Sequence, residues 1–103
     1  MAVNFVHKDR YDMQDLLEIM RLLRSPDGCP WDREQTYQTM KDTILEESYE
    51  VIDACGSGGE KLADELGDLL LQIVLTSQIA SELGEFDISD VINLIAKKII
   101  SKI

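Results

Sequence analysis

Residues 65–80 read Glu-Leu-Gly-Asp-Leu-Leu-Leu-Gln-Ile-Val-Leu-Thr-Ser-Gln-Ile-Ala. Leu69, Leu70, Leu71, Ile73, Val74, Leu75, Ile79 and Ala80 put apolar side chains on nearly every side of a helix here. The pattern extends to a helix predicted over Glu60–Leu83, with Gly84 as its stop. At 1.5 Å per residue such a helix is roughly 36 Å long. A compact domain of this size has a radius of gyration of about 13 Å and is roughly 33 Å across. The helix therefore spans the domain and must be covered all round. Three other helices, one of them short, fall short of that cover. A dimer burying this helix between subunits is the natural solution. The alternative is a monomeric bundle with Leu71 and Leu75 partly exposed.

Outward from this stretch the chain reads as helical almost throughout. Glycine and proline cluster only at residues 25–30 and 56–59. The first helix is predicted over Tyr11–Leu23, followed by a loop containing Cys29-Pro30-Trp31-Asp32. The second runs over Thr36–Cys55 and ends at Gly-Ser-Gly-Gly. The fourth starts near Asp87 or Ser89, both good N-caps, and runs to Ile103. Only Val3–Val6 offers a weak strand signal. The expected fold is an all-α four-helix bundle, one domain over residues 1–103, with residues 1–10 flexible.

The 103 residues are 45% hydrophobic and 29% charged, an ordinary globular composition. Ten basic against twenty acidic residues leave a net charge of -10. That balance argues against holding nucleic acid through its phosphates. It permits a small phosphorylated ligand if a metal ion mediates. No run of 18 apolar residues exists, so no membrane partner is expected. The mixed polar start does not read as a secretory leader, and Cys29 and Cys55 form no CxxC pair. A reduced, cytoplasmic chain is the expectation. The single histidine, His7, removes any mechanism needing a histidine cluster.

Two acidic groups stand out: Glu46, Glu47 and Glu50 on the second helix, and Glu65 and Asp68 on the third. The first three fall within one 100° arc, opposite Met40, Ile44, Leu45, Val51, Ile52 and Cys55. Taken alone they could be a solvated face. On the third helix Lys61, Glu65, Asp68 and Gln72 form one narrow polar stripe on a helix otherwise built for burial. The short turn makes the two helices antiparallel neighbours. Counting from Gly58 places Glu50 and Glu65 level. At about 5 Å and an effective dielectric of 20, each like-charge pair costs roughly 3 kcal/mol. Cations between the helices would relieve that. An all-oxygen set selects hard ions, Mg²⁺ first, with Mn²⁺ as a substitute. Mg²⁺ on carboxylates suggests phosphate chemistry. Lys61, and Lys98 with Lys102 on the expected inward face of Val91, Leu94 and Ile95, are the candidate phosphate contacts. Lysines at a helix C-terminus can equally serve the helix dipole.

The spacing Glu46-Glu47-x-x-Glu50, fourteen residues, then Glu65-x-x-Asp68 resembles the signature of the all-α nucleoside triphosphate pyrophosphohydrolases. Residues 29–36 (CPWDREQT) and 65–72 (ELGDLLLQ) are similar to two segments of the MazG type. The resemblance covers about residues 14–103. It implies an obligate helical homodimer or homotetramer, and Mg²⁺ on Glu47, Glu50, Glu65 and Asp68. Glu46 would stand by the nucleophilic water. Lys61, Lys98 and Lys102 match positions that contact substrate phosphates. The implied reaction cleaves a nucleoside triphosphate between the α and β phosphates, giving the monophosphate and pyrophosphate. Similar proteins continue past the fourth helix with an Arg-His-Pro-His-Val-Phe-like stretch that these residues lack. They often have arginine where Lys102 stands. Trp31 either stacks on the base or anchors its loop on the bundle, the second reading being slightly favoured. A metal-stabilised helical module that dimerises or binds nucleotide without turnover is the alternative from another class.

Overall fold

The computed structural model describes residues 3–103 and is all-α. The helices are α1 (Met13–Leu23), α2 (Pro30–Arg33), α3 (Tyr37–Cys55), α4 (Gly59–Glu82) and α5 (Ile88–Ile100). No strand forms among the described residues, so Val3–Val6 is not one. The predicted boundaries of the four longer helices lie within two or three residues of these.

Local chemistry sets the starts. Asp12, Thr36 and Asp87 are N-caps, and each accepts a hydrogen bond from the backbone N–H three residues on. The side chains of Asp15, Thr39 and Asp90 return the bond to the cap's own N–H. Two orphan donors per helix are thus satisfied. Between α3 and α4 the chain reverses at Gly58 and Gly59, with φ of 66° and 62°. Side chains disfavour that region, so glycine permits the turn. The turn lays α3 against α4, the most extensive packing in the fold.

The core is small. Met20 from α1, Met40 from α3 and Val74, Leu75 and Ile79 from α4 form it, flanked by Leu16, Leu17, Leu23, Ile44, Leu70 and Leu71. Leu75 is fully buried and Leu71 half-buried, whereas Leu66 and Ile73 are the large apolar α4 residues left open among the described residues.

Two expected packing faces are not covered within the chain. On α5, Val91 is half-buried beside Ile44 and Ile73, but Leu94 is 66% exposed and Ile95 is also open, so the inward stripe expected of Val91, Leu94 and Ile95 is covered only at its start. No residue of α5 is buried. On α3, Leu45 and Ile52 are exposed, as is Cys55, whereas Met40 packs. Helical periodicity identifies an apolar face but not the surface that covers it. The radius of gyration is 15.1 Å, above the ~13 Å of a compact chain of this length.

The segment expected as a plain loop contains the one-turn helix α2, begun by Pro30, whose missing N–H costs nothing there. It is clamped by Arg24, whose side chain is only 8% exposed. Arg24 Nη1 donates to the carbonyls of Asp32, Arg33 and Gln35 at 2.6, 3.1 and 3.0 Å. Its Nε and Nη2 donate to Glu82 at 3.0 and 2.6 Å. The turn into α2 needs Gly28, because a Cβ there would lie 2.2 Å from the Leu23 carbonyl oxygen.

Arg24→Met should lower unfolding stability by about 2–4 kcal/mol, because three main-chain carbonyls lose their donor and Glu82 its ion pair. Chemical denaturation checks this. The Arg24 guanidinium holds the Glu82 carboxyl below its ordinary range. The pair's contribution is therefore full above the unfolded carboxyl value and is lost as pH falls through the depressed folded value. Melting curves of wild type and Glu82→Gln should accordingly differ at neutral pH and converge in acid.

Candidate metal centre

The α3–α4 hairpin brings carboxylates from two helices together. One oxygen each from Glu47, Glu65 and Asp68 can be chosen so that all lie within 4.8 Å of one another. Glu65 and Asp68 are three apart on α4 and so share a face. Glu47 comes to them from α3. Glu50 and Glu46 lie outside this trio, yet near enough that their charges act on Glu47. Level counting from the turn gave Glu50 and Glu65 the same height along the two helices. Height says nothing of rotation about the helix axis, and the α3 carboxylate that joins Glu65 and Asp68 is that of Glu47.

Burial, first, and the charges of Asp68, Glu65, Glu46 and Glu50, next, push the Glu47 carboxyl above its ordinary value. No positive side chain offsets this. Among the described residues the ion pairs are Lys8–Asp15, Arg21–Glu18 and Arg24–Glu82, all away from the trio. Three convergent carboxylates with no cation partner, and no nitrogen or sulfur ligand beside them, fit a hard divalent ion. The group could hold a metal.

The other predicted site residues are more dispersed. Lys61 is exposed in the first turns of α4, one turn before Glu65. Lys98 is exposed in the last turn of α5, and Lys102 is exposed two residues beyond its end. None of the three forms an ion pair among the described residues. Trp31, 53% exposed, sits on α2. Arg24 ties that turn to Glu82, fourteen residues beyond Asp68 and so about 21 Å along α4. Within one chain Trp31 and the trio are thus not brought together. Arg24 itself was not singled out from sequence, since nothing in Leu-Leu-Arg-Ser marks it as buried. Gln72, one turn beyond Asp68, is only 7% exposed, and its Nε2 donates to the Asp68 main-chain oxygen at 3.4 Å.

A family model described as MazG nucleotide pyrophosphohydrolase domain matches residues 35–102. A Thermotoga maritima protein named nucleoside triphosphate pyrophosphohydrolase/pyrophosphatase MazG is 46% identical over 90 residues, covering 86% of this chain and 35% of that one. An Escherichia coli nucleoside triphosphate pyrophosphohydrolase is 49% identical over 86 residues, 82% of this chain and 33% of that one. A Mycobacterium tuberculosis protein of the same name is 39% identical, over 82% of this chain and 26% of that one. The chain thus spans about a third or less of the length of these relatives.

The raised Glu47 value has a definite sign. Above it the crowded carboxylate weakens the metal-free fold, and that penalty disappears as pH falls toward the ordinary value of 4.5. Glu47→Gln should therefore melt higher than wild type near neutral pH in EDTA, with the gap closing in acid. Mg²⁺ at 100 times its dissociation constant should stabilise wild type by about 2.7 kcal/mol and the variant by much less. Differential scanning calorimetry with and without Mg²⁺ reads both.

Proposed function

Because the chain belongs to the MazG nucleotide pyrophosphohydrolase family, we propose that it hydrolyses nucleoside triphosphates, ribo or deoxy, between the α and β phosphates. The observation that carries this reading is the convergence of Glu47, Glu65 and Asp68 across the hairpin without a positive partner. The names of the relatives support the same chemistry.

In this reading Glu47, Glu50, Glu65 and Asp68 hold Mg²⁺, for which Mn²⁺ can substitute. A divalent ion there supplies charge neutralisation for the phosphate chain and acidifies water. Glu46 orients the attacking water and takes its proton. The water oxygen bonds to the α-phosphorus, and the bond from that phosphorus to the bridging oxygen breaks. Nucleoside monophosphate and pyrophosphate leave. Lys61, Lys98 and Lys102 bind phosphate oxygens, and Trp31 walls the nucleotide pocket.

Trp31 lies apart from the trio in one chain, and the apolar faces of α3 and α5 are open. A homodimer or homotetramer answers both. A second copy covers Leu45, Ile52, Leu94 and Ile95 and supplies what one chain leaves distant.

Pyrophosphate and monophosphate release from eight ribo- and deoxynucleoside triphosphates, with Mg²⁺ and with EDTA, tests the reaction. We expect turnover with Mg²⁺ alone, reduced at least 100-fold in Glu50→Gln and by 10²–10⁴ in Glu46→Gln. Orthophosphate with diphosphate would mean that the wrong bond is cut. No turnover would favour a binding or dimerisation module.

A further inference from the structure

The polar stripe of α4 does not end at Asp68. Gln72 lies one turn further on, on the same face, where the helix enters the core at Val74 and Leu75. Its side chain is more than nine-tenths buried. Its Oε1 is enclosed and has no hydrogen-bond partner among the described residues. Its Nε2 makes one long bond, to the Asp68 main-chain oxygen. A buried amide oxygen without a donor is a cost that folding does not reward, and native chains carry few of them. A leucine or methionine would fill the position without that cost. The oxygen therefore awaits a donor that the chain itself does not supply.

The chemistry of that donor is restricted. A carboxamide oxygen accepts and cannot donate, so it repels phosphate oxygens, and it stands one turn away from the carboxylates that converge for an ion. It takes an O–H or an N–H. One helix turn separates Gln72 from Asp68, about 6 Å along the axis for four residues. With a triphosphate on the carboxylates, the groups one such step from the α-phosphate are those of the pentose. The base lies further out. Nε2 is the amide atom turned to the Asp68 main chain, and a half-turn about the last side-chain torsion exchanges it with Oε1.

We propose that Gln72 is a specificity-determining residue whose amide oxygen accepts a hydrogen bond from a pentose hydroxyl of the bound nucleotide. This rests on the pyrophosphohydrolase reading above and adds to it the group that reads the sugar. Gln72 acts in binding, so its loss raises KM and leaves kcat nearly unchanged.

The test compares ATP, 2′-deoxy-ATP and 3′-deoxy-ATP as Mg²⁺ complexes, with wild type, Gln72→Met and Gln72→Leu. Wild type should discriminate at least tenfold in kcat/KM against the analogue lacking the recognised hydroxyl, and which analogue fails identifies that hydroxyl. In either variant KM for ATP should rise at least tenfold, kcat should stay within threefold, and the discrimination should vanish. Removing an orphaned oxygen should leave the metal-free melting temperature unchanged or higher. Equal use of all three nucleotides by wild type overturns the assignment even if neither variant folds. Discrimination that survives in the variants also overturns it, while leaving the pyrophosphohydrolase reading intact. No pyrophosphate release from any nucleotide by wild type overturns that reading and the assignment together.

Discussion

Like charges held together are the constraint around which the rest of this fold is arranged. Glu47, Glu65 and Asp68 converge from two helices, and no lysine or arginine meets them. A protein seeking only stability would place one such residue elsewhere or pair it. Here the hairpin geometry enforces the contact. Gly58 and Gly59 make the reversal tight, and the packing of Met40 against Val74, Leu75 and Ile79 holds the two helices in register. The apolar half of the hairpin offsets the electrostatic cost of the acidic half.

Much of this architecture was legible in the residues. Asp87 announces a helix start because a short oxygen-bearing side chain can reach the free N–H groups of the first turn, as it does in α5. The Gly-Ser-Gly-Gly segment announces a reversal, and Glu65-x-x-Asp68 announces two carboxylates on one face. What was not legible depends on rotation and on distant partners. Counting from the turn gives height along α3 but not its rotation, so it sets Glu50 level with Glu65 without saying that Glu47 is the α3 residue that joins the trio. The amphipathic pattern of α5 shows that Leu94 and Ile95 share a face. It does not say that the face is open in a single chain. Arg24 is a similar case, since its burial depends on Glu82 and on carbonyls from a turn whose path no local pattern specifies.

The Arg24 clamp also separates two jobs within the chain. One end of α4 carries the acidic cluster. The other end anchors the turn that carries Trp31, through three main-chain carbonyls and a carboxylate. The rigid helix between them keeps the two ends about 21 Å apart. Any collaboration between them within one chain would have to bridge that distance.

The tight glycine reversal carries a consequence for how the molecule reaches its fold. The most extensive packing lies between two helices adjacent in sequence, joined by only a few residues. Contacts of such short separation close small loops and demand little chain entropy before they form. The α3–α4 hairpin is therefore the natural first structure in refolding, with α1 docking onto a surface already present. The acidic cluster lies within that hairpin. Any divalent ion it attracts acts on the earliest tertiary contact of the chain as well as on the finished site.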